Sequence, residues 1–447
     1  MTELSTRTVP PRRPPFRRLR WAALVVLGAA ATYAGHHLFW RYHLKRFQVV
    51  APGIFYRVAQ PTEFGFRTTA RNHHIRTVVS LQLFDFKLYG GLFDPGHPDG
   101  GQEADFVRTL GMYHVQWPMG EEQCWPWPTP WQFEEFFRLV DDPKNHPILI
   151  HCMGGRHRTG TLSALYRLEY DGWSVDDALA EMYAFDFGTC VPVQEFNLRT
   201  YVPRPRPTAT EFRDLKAAFD PMLPRPAADY AELVRALRES RANDSVRSSL
   251  AQYLRNGRPF CVALAARLID APDDPLASTA VEAAERRLND SRSSEAEWLS
   301  AAAVVADFGG RERGAELSAR LNREISSGTP SPWYDAVVRG LTNRYTDNRL
   351  AYLRPLLEDR RVRRNDSSGI RYCDVALVRL AAITDTLGMR IGVDSQTGRL
   401  AGHELAHAWF AANPQGAKLM AFAPPQGRKT VLAGDAPLEE DLGKLRR

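Results

Sequence analysis

At residues 147–160 the chain reads Pro-Ile-Leu-Ile-His-Cys-Met-Gly-Gly-Arg-His-Arg-Thr-Gly, an apolar run that ends at a cysteine and is followed six positions later by an arginine. Such a run, broken by glycines, predicts a buried strand that turns into a tight loop, and residues 161–170 (TLSALYRLEY) have the helical spacing to continue from it. Gly154 and Gly155 let the backbone point successive N–H groups inward, which makes a nest for an anion. The positive end of the following helix faces the same point. Strand, nest and helix in that order predict an α/β layer with its site at the carboxyl edge of the sheet.

The residue types in the loop suit phosphoryl transfer. A thiol is mostly protonated at neutral pH, so a nucleophilic Cys152 needs the nest and the helix dipole to stabilise its thiolate. Arg158 offers a planar, permanently charged fork that holds two phosphate oxygens at once. Thr159 is placed to donate a hydrogen bond to the departing sulfur. His151 either hydrogen-bonds near the thiolate, shapes the loop or simply packs at the strand end. Met153, Gly154 and Gly155 line the anion; Arg156 and His157 either add charge for a highly anionic substrate or point to solvent. The expected chemistry requires neither metal nor cofactor.

With these residues in hand, the chain resembles the cysteine-dependent protein tyrosine phosphatase superfamily, in its compact dual-specificity form. The resemblance runs over about residues 47–202: VVAPGIFYRVAQPTEF from Val49, IRTVVSLQ, YHVQWPM, the cysteine loop, and ALYRLEYDGWSVDDALAEM from Ala164. The GRHRTG run at Gly155 to Gly160 is similar to the plant and fungal atypical branch, some of whose members act on inositol pyrophosphates. The resemblance implies a phosphatase acting on phosphorylated protein, phosphoinositide or inositol polyphosphate. It also implies a general acid, usually Asp, on a loop roughly 30 residues before the cysteine. Here that segment reads Trp-Pro-Met-Gly-Glu-Glu-Gln-Cys from Trp117, without Asp. Glu121 or Glu122 is the expected substitute, ahead of Asp85. If none of them acts, the domain is a phosphate-binding pseudophosphatase that recruits partners.

Outside the loop, 447 residues with 44% hydrophobic content allow two or three domains, and a net charge of +6 suits anionic substrates or membranes without suggesting nucleic acid, for which no motif is present. The five cysteines (Cys124, Cys152, Cys190, Cys261, Cys373) have no disulfide-framework spacing, though Cys124 is a candidate to trap Cys152 reversibly. Residues 1–20 form a basic tail before WAALVVLGAAATYAGHHLFW at 21–40, the length of a transmembrane anchor. The excess of arginine before it predicts a single pass with the N-terminus cytoplasmic and the catalytic domain outside.

The expected order is then a phosphatase-like domain at 47–202, a proline-rich linker at 203–210, an all-α domain at 211–425 and a disordered tail at 426–447. The all-α part predicts a HEAT-like array of helix pairs for a protein partner. His403-Glu404-x-x-His407 spells a zinc-protease motif, but without a third ligand at the usual spacing it is expected instead to sit on an amphipathic terminal helix.

Overall fold

The computed structural model describes residues 16–82, 102–119, 127–128, 130–188, 192–258, 260–269, 273–342, 349–366, 369–384 and 396–413. The candidate acids Glu121, Glu122 and Asp85, the thiols Cys124 and Cys190, and the tail at 426–447 lie outside these residues.

Five strands form one mixed sheet: β1 (Gln48–Ala51), β2 (Phe55–Ala59), β3 (Thr77–Ser80), β4 (Tyr113–Gln116) and β5 (Ile148–Cys152), in the order β1-β2-β5-β3-β4. β1 is antiparallel to β2, a hairpin that turns at Gly53 (φ 73°), while β2, β5, β3 and β4 run parallel. A parallel strand covered on both faces reads as continuous apolar sequence, and β5 is buried at every position. The pleat sends Phe55, Val79, Ile148 and Ile150 into one core and Tyr56, Val58, Val78 and Leu149 into a smaller one on the opposite face.

The helices of this half are α1 (Phe16–His43), α2 (Glu63–His73), α3 (Glu103–Thr109), α4 (Pro130–Asp141), α5 (His157–Tyr166), α6 (Val175–Ala184) and α7 (Pro192–Thr200). Thr62 caps α2 by accepting from Gly65 N, and Ser174 caps α6 in the same way from Asp177 N. α5 begins four residues before the expected helix, so Arg158 stands in its first turn. After Tyr166 it relaxes into a π-helical turn, Arg167–Asp171, that ends at left-handed Gly172. α1 contains the one described stretch, Arg20–His43, long and apolar enough to cross a membrane, and its most apolar 18-residue window is exposed.

Beyond residue 208 the described elements are helical: α8 (Ala209–Phe219), α9 (Tyr230–Glu239), α10 (Asp244–Arg255), α11 (Cys261–Leu268), α12 (Ala277–Asn289), α13 (Glu295–Phe308), α14 (Gly310–Ile325), α15 (Pro332–Thr342), α16 (Leu350–Leu356), α17 (Tyr372–Thr384) and α18 (Gln396–Ala412). The odd-numbered helices from α9 to α17 each touch the next odd one, and α10 touches α12 as α14 touches α16, which gives two layers. α8 and α13 begin with full capping boxes, Thr208 with Glu211 and Ser294 with Glu297.

The proline-rich stretch at 203–210 does not act as a free spacer. Arg204 pairs with buried Glu169 and, at 3.1 Å, with Asp141, and Tyr201 Oη donates to Glu169 at 3.0 Å. Arg379 of α17 reaches back to the Asn197 side chain (2.5 Å) and the Thr200 carbonyl (3.1 Å) on α7. The larger core runs through from the sheet to α18 without a break.

Candidate active site

β5 lies between β2 and β3, so the loop that follows it emerges beside the ends of both, in the crevice at the carboxyl edge where parallel sheets bind ligands. Cys152 is its last residue, paired with Ala59 of β2 and 5% exposed. Residues 153–156 make the turn, and Gly155 (φ 63°) is required there on two counts. Its backbone is left-handed, and a Cβ on it would stand 2.7 Å from the Ala59 nitrogen. Arg158 donates from Nη1 to the Leu81 carbonyl at 3.1 Å, which ties the first turn of α5 to the end of β3.

Two arginines that sequence reasoning passed over also hold the loop. Arg57 of β2 is fully buried, donates to the Gly155 carbonyl at 2.8 Å and stacks on Phe185 at 4.2 Å. Burial pushes its guanidinium down to about 10, against the opposing pull of Glu181 and Cys152. Arg46, with φ 57°, donates to the Gly154 carbonyl at 2.9 Å and pairs with Asp186. A lone charge in the otherwise apolar FYRVA was the available signal for Arg57; Arg46 gave none.

His151 turns away from the thiol. Its Nε2 meets Glu103 Oε1 at 2.8 Å, and His114 Nε2 meets the same oxygen at 3.0 Å. Gln60 donates to the other oxygen at 2.6 Å. Burial alone would raise the Glu103 pKa, but the two imidazoles outweigh it and hold the carboxyl well below its usual range. The bond to Glu103 ties His151, next to the thiol residue in β5, to α3. Thr159 Oγ1 is buried without a hydrogen-bond partner and makes no bond to the sulfur. Met153 and Arg156 are exposed at the rim. His157 is half-buried against Phe187, and burial lowers its pKa.

The two histidines of the 403–407 motif do not converge. His403 Nε2 lies 3.6 Å from Asp374 and His407 Nε2 3.6 Å from Glu358. Among the described residues, Cys373, Asp374 and His403 are close enough to share an ion. Arg371 already grips both Asp374 oxygens, at 2.7 and 2.9 Å, and burial pushes the Cys373 thiol up to about 12. A metal needs that thiol deprotonated and that carboxylate available, so the cluster fits an ion pair better.

Residues 111–201 match the family model described as "Tyrosine phosphatase family". The "Dual specificity protein phosphatase TpbA" of Pseudomonas aeruginosa is 45% identical over 42 residues, which is 9% of this chain and 19% of that protein. The "Inositol diphosphatase DSP5" of Arabidopsis thaliana is 46% identical over 44 residues, 10% of this chain and 21% of that protein. The chain therefore spans about a fifth of the length of these relatives. Among solved structures, the core catalytic domain of the PP-IP phosphatase SIW14 from S. cerevisiae is similar at 23% identity and TM-score 0.29, over 35% of this chain and 85% of that one. Cys152 and Arg158, set around one glycine-turned loop, both lie within the stretch that matches the tyrosine phosphatase family, and that stretch is similar to dual-specificity phosphatases.

Proposed function

We propose that the α/β half hydrolyses phosphate monoesters through a cysteinyl-phosphate intermediate. The observation that carries this reading is the position of Cys152, at the end of β5 and inside a loop whose far side is tied down by Arg158. The Cys152 thiolate attacks phosphorus in line, an S–P bond forms, and the P–O bond to the leaving group breaks. The loop N–H groups and Arg158 hold the equatorial oxygens. Glu121, Glu122 or Asp85 protonates the leaving oxygen. Water then attacks phosphorus, which releases inorganic phosphate and the thiolate.

The names of the relatives support phosphorylated protein and phosphorylated inositol as substrate classes, and the four arginines around the loop (Arg46, Arg57, Arg156, Arg158) suit a multiply charged one. In the same reading α1 is a single-pass anchor with a cytoplasmic N-terminus. The two-layered helices form a HEAT-like array that offers a surface to a protein partner.

Hydrolysis of a small aryl phosphate by the full chain, with and without chelator and beside Cys152→Ser, tests the mechanism. Chelator-resistant turnover that disappears in the variant is expected. The missing aspartate between Trp117 and Cys124 favours a second reading, a phosphate-binding pseudophosphatase. It predicts binding of vanadate without turnover.

A further inference from the structure

α1 is docked on the α/β half. Phe39 and Trp40 set their rings 5.1 and 6.4 Å from that of Phe64, and His43 Nδ1 lies 2.6 Å from Thr62 Oγ1. Gly65 is what lets the two helices meet, because a Cβ there would collide with the His43 carbonyl oxygen. His43 and Leu44 are buried in the contact.

The chain then passes straight to the phosphate loop. The Lys45 carbonyl accepts from Ala59 N at 2.8 Å, and the next residue, Arg46, holds the Gly154 carbonyl. Six positions separate Trp40, an interfacial type of side chain, from a residue bonded to the loop. That separation is about 10–20 Å of chain, between helical and extended limits. The headgroup layer on each side of a bilayer adds about 5–8 Å beyond the hydrocarbon. An α1 that spans the membrane thus holds the phosphate loop close to the headgroups, in a fixed orientation.

A cleft of about 690 Å³ beside α1 is lined by Tyr33 and Trp40, by the cations Arg41 and Lys45, and by Arg46 and Asp186, which pair with each other. At the loop itself Met153 is 52% exposed, an apolar side chain at the mouth of an otherwise charged site.

We infer that the site works on a phosphate monoester carried by a lipid headgroup in the leaflet next to Trp40. The inference rests on the phosphatase reading and on α1 as a membrane span. A soluble phosphopeptide gains no concentration in the plane of a membrane. A headgroup gains that concentration and the attraction of the exposed cations Arg41 and Lys45.

The test uses the full chain in phosphatidylcholine vesicles doped with phosphatidylinositol monophosphate or phosphatidic acid. Each lipid is compared with its own deacylated headgroup, with a phosphotyrosyl peptide and with a small aryl phosphate. Turnover of at least one lipid about tenfold above its free headgroup and above the peptide is expected. The double variant Arg41→Glu, Lys45→Glu should lower the ratio of lipid to aryl phosphate turnover about fivefold or more. If aryl phosphate is hydrolysed but neither lipid exceeds its headgroup, or the peptide is preferred, the inference alone falls. If aryl phosphate is not hydrolysed, the phosphatase reading falls and takes the inference with it. A chain that fails to float with the vesicles overturns it through the membrane premise.

Discussion

In the helical half, Arg349 and Arg361 close on acids. Arg349 sends Nε and Nη2 to Asp307 at 2.8 and 2.7 Å and Nη1 to two carbonyls, and Arg361 grips Asp359 at 2.8 and 2.9 Å. Under the loop after β5, Arg57 meets a carbonyl and an aromatic face instead, and its Nε and Nη1 have no hydrogen-bond partner. His151 Nδ1 and Thr159 Oγ1 are likewise buried and unbonded there. Buried polar groups left unsatisfied cost stability, and chains tolerate them where function needs the group. Arg349 and Arg361 neutralise their charge on carboxylates and so hold helices together; Arg57 bonds no carboxylate among the described residues and leaves its positive field under the loop.

The sharpest way to break this comparison is at the thiol. Cys152→Ser keeps shape and volume but removes the soft nucleophile, so aryl phosphate turnover should fall by about 10³-fold or more while the melting temperature stays put. Turnover that survives would mean the field under the loop serves binding and not covalent chemistry. The converse variant is Arg349→Met. It strands Asp307 in a site where the two side chains are 1% and 6% exposed. Breaking such a pair costs about 3–5 kcal/mol, visible in chemical denaturation, with turnover per folded molecule nearly unchanged.

Gly155→Ala probes the boundary between the two kinds of effect. The new Cβ meets the Ala59 backbone at 2.7 and 2.8 Å, in a left-handed conformation, so the loop must move. A cost of about 1–3 kcal/mol in stability is expected, with a loss of roughly 10²-fold in turnover because the displaced N–H groups are those of the proposed anion nest. A variant that loses stability but keeps its rate would show that the loop geometry is less exacting than the contacts imply.

What the sequence revealed and what it hid follow the same division. Cys152 and Arg158 stand six positions apart on one strand–loop–helix segment, so their spacing alone fixes their relation to strand and helix. Arg57 and Arg46 reach the loop from 98 and 108 positions away and Glu103 reaches the strand before it from 48, and no spacing rule links them to that segment. Helices such as α13, buried on almost every side, were legible from their apolar content. α14 was not, because only Leu317 and Leu321 of its 16 residues are buried, and α16 carries Pro355 inside it. Glu103 reads in sequence as an ordinary first-turn acid, which favours a helix N-terminus anyway.

That carboxylate offers the smallest and most specific test. Glu103 is buried with its pKa held below the usual range by His151 and His114, so its ionisation is easier in the folded chain than in the unfolded one. The stability this contributes is complete above the unfolded carboxylate value of about 4.3 and is lost as pH falls below it. The wild type should therefore lose about 2 kcal/mol more than Glu103→Gln between pH 6 and the acid limb, read as the difference between their denaturation midpoints. At neutral pH the glutamine still donates or accepts one bond but cannot anchor both imidazoles. His151 is then free to shift at the start of the loop, and the rate should fall about tenfold, with a changed pH profile that a merely packing role would not produce. Equal acid sensitivity in the two proteins would show that Glu103 ionises no more easily in the folded chain than in the unfolded one, the two imidazoles then only offsetting the cost of its burial.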